Sequence, residues 1–281
     1  MSGTLFLVST PIGNLEDITL RALRVLREAD LIAAEDTRRT AKLLAHYAIS
    51  RPTISFHQHN IRSRLPQLLA RLERGDTVAL VSDAGTPGIS DPGVELVRAC
   101  AEKGLPVDPV PGASAPLVAA IASGFPMEPM TIFGFAPSRA KDRKAWLERI
   151  QTVSDTFTFF EVPHRIRQTL AEIASMFGNR PIMVGRELTK LHQQFLRGRS
   201  ADIIGQLTNP VGEFTIVVGP IEIKKPAGCV ANDREIWNEF GRSTVNGCVG
   251  RRAAIVGLAR KYGRSPKEVY AIIERMKDSG V

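Results

Sequence analysis

A chain of 281 residues, 43% hydrophobic and 23% charged, is long enough to bury the cores of two modest domains without covalent staples. Its three cysteines, Cys100, Cys229 and Cys248, are too few and too scattered for a disulfide framework or paired metal ligands, which points to a reducing cytoplasm. No apolar run approaches the ~20 residues needed to cross a bilayer, and no signal-like segment opens the chain. The net charge of +8, from 37 Lys and Arg against 29 Asp and Glu, favours a polyanionic partner, nucleic acid first, because clustered cations gain affinity by releasing phosphate counterions. Solubility alone is the plainer explanation of the same charge.

In chain order, Thr4 to Ser9 reads as a buried strand entering the tight loop Thr10-Pro11-Ile12-Gly13-Asn14. Ile18, Ala22, Leu23, Leu26 and Ala29 form a helical stripe, and Leu31 to Ala34 is a second strand. Residues 60 to 74 carry Ile61, Leu65, Leu68, Leu69 and Leu72 before a terminating Gly75, and Thr77 to Ser82 is another strand. The alternation continues with strands at Thr131 to Phe135, Thr156 to Phe160, Pro181 to Gly185 and Phe214 to Gly219. Near-continuous apolar strands separated by helices predict the α/β class, with sheets covered on both faces. The expected organisation is one α/β domain over residues 1–116, a second over 117–223, and a linker with a small helical module over 224–281. In that module Ser265 and Pro266 stand at the N-cap and first helical position before Val269, Ile272 and Ile273. Residues 230–281 hold ten Lys and Arg against six Asp and Glu, half of the chain's excess charge.

Loops at the carboxyl ends of strands are where open α/β sheets bind ligands. The loop Asp83 to Gly93 has that position. Asp91 and Pro92 are accounted for as a helix cap, whereas Asp83 and Gly85 are not, and the glycines permit close approach of backbone to a ligand. Pro111 to Ala115 is a further such loop, with Ser114 able to cap the next helix. Neither a G-x-G-x-x-G nor a Walker pattern occurs, which weakens dinucleotide and nucleoside triphosphate readings.

Polar clusters follow other strands. Glu35 to Thr40 either grips a polar substrate or is a helix start capped by Thr37, and the second reading explains the acids better than Arg38 and Arg39. His164 and Arg165 lie at a helix start, where cations are mildly unfavourable, so they hint at substrate or phosphate contact. Glu187 and Lys190, three apart, would share a helical face as a surface ion pair. His57 and His59 would share one strand face, yet no further ligand completes a zinc site, and no metal is expected. Cys100 reads as a core thiol. Ser138 to Lys144, ahead of Trp146, is either a basic loop meeting phosphates or a solvated helix start.

Together, Ser9 to Asp17, Ala34 to Arg38, Ser82 to Gly93, Pro111 to Ala115, Phe133 to Pro137 and Glu161 to Arg165 strongly resemble the ribosomal RNA small-subunit methyltransferase I family of the tetrapyrrole-methylase superfamily. The resemblance spans about residues 4 to 220. It implies a class III methyltransferase fold, with S-adenosylmethionine between two α/β domains in a homodimer. It also implies 2′-O-methylation of a cytidine ribose in the decoding region of 16S rRNA, as naked RNA or within the small ribosomal subunit. On the matching motifs, cofactor contacts fall at Pro11, Asp83, Gly85, Thr86, Ser90, Asp91, Ala113 and Ser114, and at Gly212 and Phe214. Substrate contacts fall at Asn14, Arg38, Arg39, Arg139, His164 and Arg165. The hydroxyl must lose its proton, and Asp36, Glu187 or a neutral Lys190 are the candidate acceptors. Two rivals are a small-molecule methyltransferase acting on a tetrapyrrole precursor, disfavoured by the basic balance, and a non-catalytic RNA-binding assembly factor, disfavoured by the intact loops.

Overall fold

The computed structural model describes residues 2–89, 93–221, 232–246 and 250–278. The chain divides into two compact units, residues 1–221 and 222–281. The first contains two five-stranded sheets.

The first sheet is built from β1 (Leu5–Val8), β2 (Leu31–Ala34), β3 (Thr53–Ser55), β4 (Val78–Val81) and β5 (Val107–Val110), ordered β3-β2-β4-β1-β5 and parallel throughout. Its helices are α1 (Leu20–Glu28), α2 (Thr37–His46), α3 (Ile61–Glu73) and α4 (Gly93–Glu102). Every residue of β2 and β4 is buried, as expected of strands with a helical layer on each face. One face packs Leu31, Leu80 and Leu5 with Leu68, Leu72, Leu96 and Cys100, and the other packs Ile32, Val81 and Val8 with Ala22, Leu26 and Leu44. Burial pushes the Cys100 thiol up to about 11, which keeps it protonated and inert. Helix α1 starts two residues after the predicted stripe begins: Thr19 caps it, accepting from Ala22 N at 3.1 Å, and Ile18 packs on the core from outside the helix. Pro109 is tolerated in β5 because that strand is an edge.

The predicted strand face for His57 and His59 does not exist, since β3 ends at Ser55. Asn60 closes a turn there instead, its Oδ1 accepting from His57 N at 2.9 Å and its amide donating to Ser55 O at 3.1 Å.

The second sheet comprises β6 (Met130–Phe135), β7 (Thr156–Glu161), β8 (Ile182–Arg186), β9 (Gln194–Gly198) and β10 (Phe214–Val218), ordered β6-β7-β10-β8-β9. Only β6 and β7 are parallel; the remaining pairs are antiparallel, and β9 was not among the predicted strands. Its sequence, Gln194-Phe195-Leu196-Arg197-Gly198, is half polar because it is an edge strand. Helices α6 (Ala140–Ile150), α7 (Ile166–Met176) and α8 (Ser200–Gln206) cover one face around Phe157, Phe159, Ile216 and Leu170. Helix α5 (Ala115–Ser123) covers the other, with Ala119 against Met183 and Val217.

Two buried arginines tie loops to this sheet. Arg143 makes a two-point ion pair with Glu172, at 2.9 Å for each contact, and reaches Ser138 O at 3.3 Å, which places the basic stretch at a helix start. Arg180 donates to the carbonyls of Gly219, Val153 and Asp155.

The second unit holds α9 (Asp233–Gly241), α10 (Arg251–Tyr262) and α11 (Pro266–Asp278) around Ile236, Leu258, Val269, Ile272 and Ile273. As the sequence suggested, Ser265 Oγ accepts from Glu268 N at 3.2 Å, and Glu268 returns a bond to Ser265 N. Arg251 pairs with Glu274, and Lys261 with Glu239. The expected linker at 224–228, Cys229 and Cys248 lie outside the described residues. Among the described residues no helix is long and apolar enough to cross a membrane.

Candidate active site

In the first sheet β4 lies between β2 and β1, and the chain leaving β1 turns toward β2 while that leaving β4 crosses to β5. A crevice opens at the carboxyl ends where connections diverge in this way. Three loops are knitted together there. Thr10 and Gly85 exchange backbone bonds, N to O, at 2.9 and 3.0 Å. Thr10 Oγ1 donates to Ser82 O at 3.2 Å, and Ser82 Oγ to Gly85 O at 3.1 Å. Ser9 Oγ donates to Thr86 Oγ1 at 3.1 Å, and Thr86 Oγ1 to Ala113 O at 3.2 Å. Gly85 sits at φ +84°, a conformation that side chains resist.

These loops face the second sheet across a cleft of about 370 Å³. Ile12, Asp83, Gly85, Thr86, Ser114 and Pro116 line it on one side, and Phe135, Phe160 to Pro163, Leu188 and Gly212 to Thr215 on the other. Ser114 occupies the N-cap position of α5 without a capping side-chain bond. An adjoining recess of about 230 Å³ is lined by Pro11, Gly13, Arg39, Lys42, Lys190 and Glu213, among others. The structure thus brings together Pro11, Asp83, Gly85, Thr86, Ala113, Ser114, Gly212, Phe214 and Arg39. Ser90 and Asp91 lie outside the described residues.

Asp83 anchors the polar cluster after β2. Its Oδ1 accepts from Asp36 N at 2.9 Å, its Oδ2 lies 3.6 Å from Arg39, and its own N donates to Glu35 Oε2 at 3.2 Å. Asp36, not Thr37, caps α2: its Oδ1 accepts from Arg38 N at 2.8 Å, because an Asp side chain reaches the second amide of the helix from that position. The Arg38 guanidinium, 2.8 Å from Oδ2, holds the Asp36 carboxyl well below the usual carboxylate range.

Glu187 and Lys190 do not share a helix. The chain turns tightly after β8, with Glu187 at φ +50° and Thr189 at φ +64°. Lys190 Nζ lies 2.9 Å from both Glu187 Oε1 and Glu213 Oε2, and Glu187 Oε1 also accepts from Glu213 N at 2.9 Å. Burial alone would raise the Glu187 pKa, but the bonds from Lys190 and Glu213 N outweigh it and the net shift is downward. Burial would lower Lys190, and the two carboxylates overcome it, so the ammonium is retained. A neutral Lys190 acting as base does not fit this arrangement. Glu213 completes the clasp and lines both the cleft and the recess, yet no local pattern marks it: its partners are 23 and 26 residues away.

The remaining sequence candidates stand outside the cleft lining. Asn14 caps a short turn, its Oδ1 accepting from Glu16 N, and its own N donates to Thr189 Oγ1 at 2.9 Å. Arg38 and Arg139 are exposed, as is His164. Arg165 pairs at 2.7 Å with the buried Glu161, whose second oxygen accepts from Thr169 Oγ1 at 2.6 Å. Sequence reasoning also passed over the apolar wall formed by Ile12, Phe135, Phe160 and Leu188, because these positions look like any strand or loop hydrophobe.

Residues 4–204 match the family model described as Tetrapyrrole (Corrin/Porphyrin) Methylases. The chain is 47% identical to the ribosomal RNA small subunit methyltransferase I of Thermotoga maritima, over 77% of this chain and 98% of that protein. The protein of the same name from Streptococcus pyogenes serotype M3 is 44% identical over 96% of this chain and 94% of its own length. Among solved structures, the uroporphyrin-III-C-methyltransferase of Thermus thermophilus matches with a TM-score of 0.57 and 21% identity, over 77% of this chain and 94% of that one. Another structure of that enzyme, complexed with S-adenosyl homocysteine, gives a TM-score of 0.55 at 19% identity. At these identities the solved structures speak for the fold, and it is the sequence relatives and the family model that place this chain in the tetrapyrrole methylase family and, within it, in the ribosomal RNA small subunit methyltransferase I family.

Proposed function

We propose that this chain transfers a methyl group from S-adenosylmethionine to the ribose 2′-oxygen of a cytidine in the decoding region of 16S rRNA, acting in the cytoplasm as a homodimer. The observation that carries the reading is the convergence of the 9–14, 82–89 and 111–116 loops on one cleft, in a chain 44–47% identical to proteins named for methylating the small-subunit RNA.

The cleft fits the cofactor. It combines an apolar wall from Ile12, Phe160 and Leu188 with the Ser114 hydroxyl and the Asp83 carboxylate, a mixture suited to a purine, a ribose and an amino acid end. Gly85 at φ +84° lets backbone come close to what is bound. When bound, S-adenosylmethionine supplies an electrophilic methyl group on a sulfonium.

The protein's own share is placement. An in-line displacement needs the attacking oxygen held ~3 Å from the methyl carbon with orbitals aligned. Arg39, 3.6 Å from an Asp83 that is itself fixed by Asp36 N, stands where the cleft meets the recess, so it is suited to orient the target ribose. Exposed Arg139, His164 and Arg38 are suited to hold phosphates outside. Of the three candidate proton acceptors, Asp36 and Glu187 are ionised and already hydrogen-bonded, which makes them weak bases in the resting site.

The test is transfer of a labelled methyl group from S-adenosylmethionine to small ribosomal subunits lacking the endogenous modification, followed by nucleoside analysis. Labelled 2′-O-methylcytidine is the expected product. Binding of S-adenosylmethionine without label in the subunit would move the substrate to a small molecule of the tetrapyrrole type.

A further inference from the structure

Strands β6 and β7 run in parallel register from Met130 opposite Thr156 to Ile132 opposite Thr158, and then one extra residue enters β6, so that Phe135 rather than Gly134 stands opposite Phe160. Side chains alternate faces along a strand, and residues paired across a ladder share a face. Phe133 points into the core, its ring centroid 5.5 Å from that of Phe157 and 6.0 Å from that of Trp146. Plain alternation would send Phe135 after it into the same core.

The inserted residue reverses that. Phe135 emerges on the face of Phe160, ring centroids 5.1 Å apart and planes inclined at 46°, and Gly134 absorbs the irregularity at φ +68°. The outcome is a phenyl ring lining the cleft with 55% of its surface exposed. A bulge beside a site re-aims a side chain, and here it moves a large apolar group from a core position to water, which costs stability unless something covers it.

We infer that Phe135 is the platform on which the base of the target nucleotide stacks while its ribose enters the cleft. Unstacked bases of RNA are gripped by aromatic faces, and cations alongside take the neighbouring phosphates. Arg139 and His164, both exposed, leave the ends of the same two strands that carry Phe135 and Phe160. The inference rests on the RNA-methylation reading above.

Two variants of the full chain test it. Phe135→Leu keeps apolar bulk and removes the π face; Phe135→Trp keeps the face. Phe135→Leu should raise KM for unmodified small ribosomal subunits about tenfold to a hundredfold, the range expected from losing one base-aromatic stack. Its affinity for S-adenosylmethionine, measured by calorimetry, should not change, and Phe135→Trp should restore KM toward the wild-type value. Weakened cofactor affinity in Phe135→Leu would reassign the ring to the adenine and overturn the inference. So would a changed oligomeric state, which would assign the ring to a subunit interface, or a KM equal to wild type. If the wild-type enzyme labels the subunit and Phe135→Leu matches it, stacking alone fails; if the wild-type enzyme does not label it, the RNA reading fails and takes this inference with it.

Discussion

The carboxyl group of Glu187 lies where a Cβ on Gly212 would have to stand. Gly212 also holds φ +91°, so a side chain there is resisted twice, by the backbone and by its neighbour. Gly212→Ala should therefore cost ~2 kcal/mol or more in denaturant unfolding, from strained backbone alone. It should also lower cofactor affinity by displacing the cleft wall. A variant that melts like wild type would mean that the loop before β10 and the turn after β8 do not meet as described.

Lys190→Met leaves the Glu187 carboxylate without its cation, and the expected loss is ~1–2 kcal/mol, scaled down from a fully buried pair because both groups retain some exposure. The pH dependence has a definite sign. Glu187 titrates below its ordinary 4.5, so its share of the stability is present above that value and disappears as pH falls through the depressed pKa. Lys190 titrates above its ordinary 10.5, so its share is present below that value and disappears as pH rises through the elevated pKa. The difference between wild type and Lys190→Met should be flat across neutral pH and shrink at both ends. A difference that grows or vanishes near pH 7 contradicts the clasp.

Asp36 combines two tasks that substitution can separate. Asn is as good an N-cap as Asp, so Asp36→Asn should fold with near-wild-type stability while removing the negative charge. Asp36→Ala should lose the cap as well. Both should bind S-adenosylmethionine normally and transfer methyl more slowly, because the charge that holds Arg38, one of the proposed phosphate contacts, is gone; transfer by Asp36→Asn at the wild-type rate would remove the Asp36 charge from the site. Because Arg38 holds this carboxyl ionised far into acid, no activity limb between pH 5 and 8 should trace to Asp36.

Glu172→Ala strands the Arg143 guanidinium, whose side chain is 2% exposed, without its two-point partner. Removing one member of a buried ion pair costs ~3 kcal/mol. The loop of Pro137 and Ser138, which Arg143 also holds, should loosen, so chymotryptic cleavage near Phe135 should accelerate. Unchanged cleavage would show that the loop is fixed by other contacts.

The central strands of the first sheet were legible: Leu31 to Ala34 reads as a buried strand and is one, because a strand covered on both faces needs no polar alternation, whereas the short, half-polar edge strands β3 and β5 were not predicted. The cap at Ser265 and Pro266 was equally visible, since it depends on residues three apart. The loops placed at strand ends from sequence, Asp83 to Gly93 and Pro111 to Ala115, meet in the structure, for the carboxyl ends of parallel strands lie on one edge of a sheet. Where contact is local, composition and spacing suffice.

The second sheet shows the opposite case. Strands β7, β8 and β10 are recognisable as apolar segments, but nothing in a run such as Phe214 to Val218 says that both its neighbours are antiparallel. The single residue inserted before Phe135 leaves composition and hydrophobicity unchanged, yet decides whether a phenyl ring is core or cleft. Glu213, 23 residues from Lys190, joins the site only through the pairing of β10 with β8. The sequence by itself determined which segments are buried strands and helices and where their loops could open, because those depend on neighbours in the chain. Tertiary structure alone decided which face each side chain takes and which distant charges meet, because strand register is a contact between segments that no local periodicity encodes.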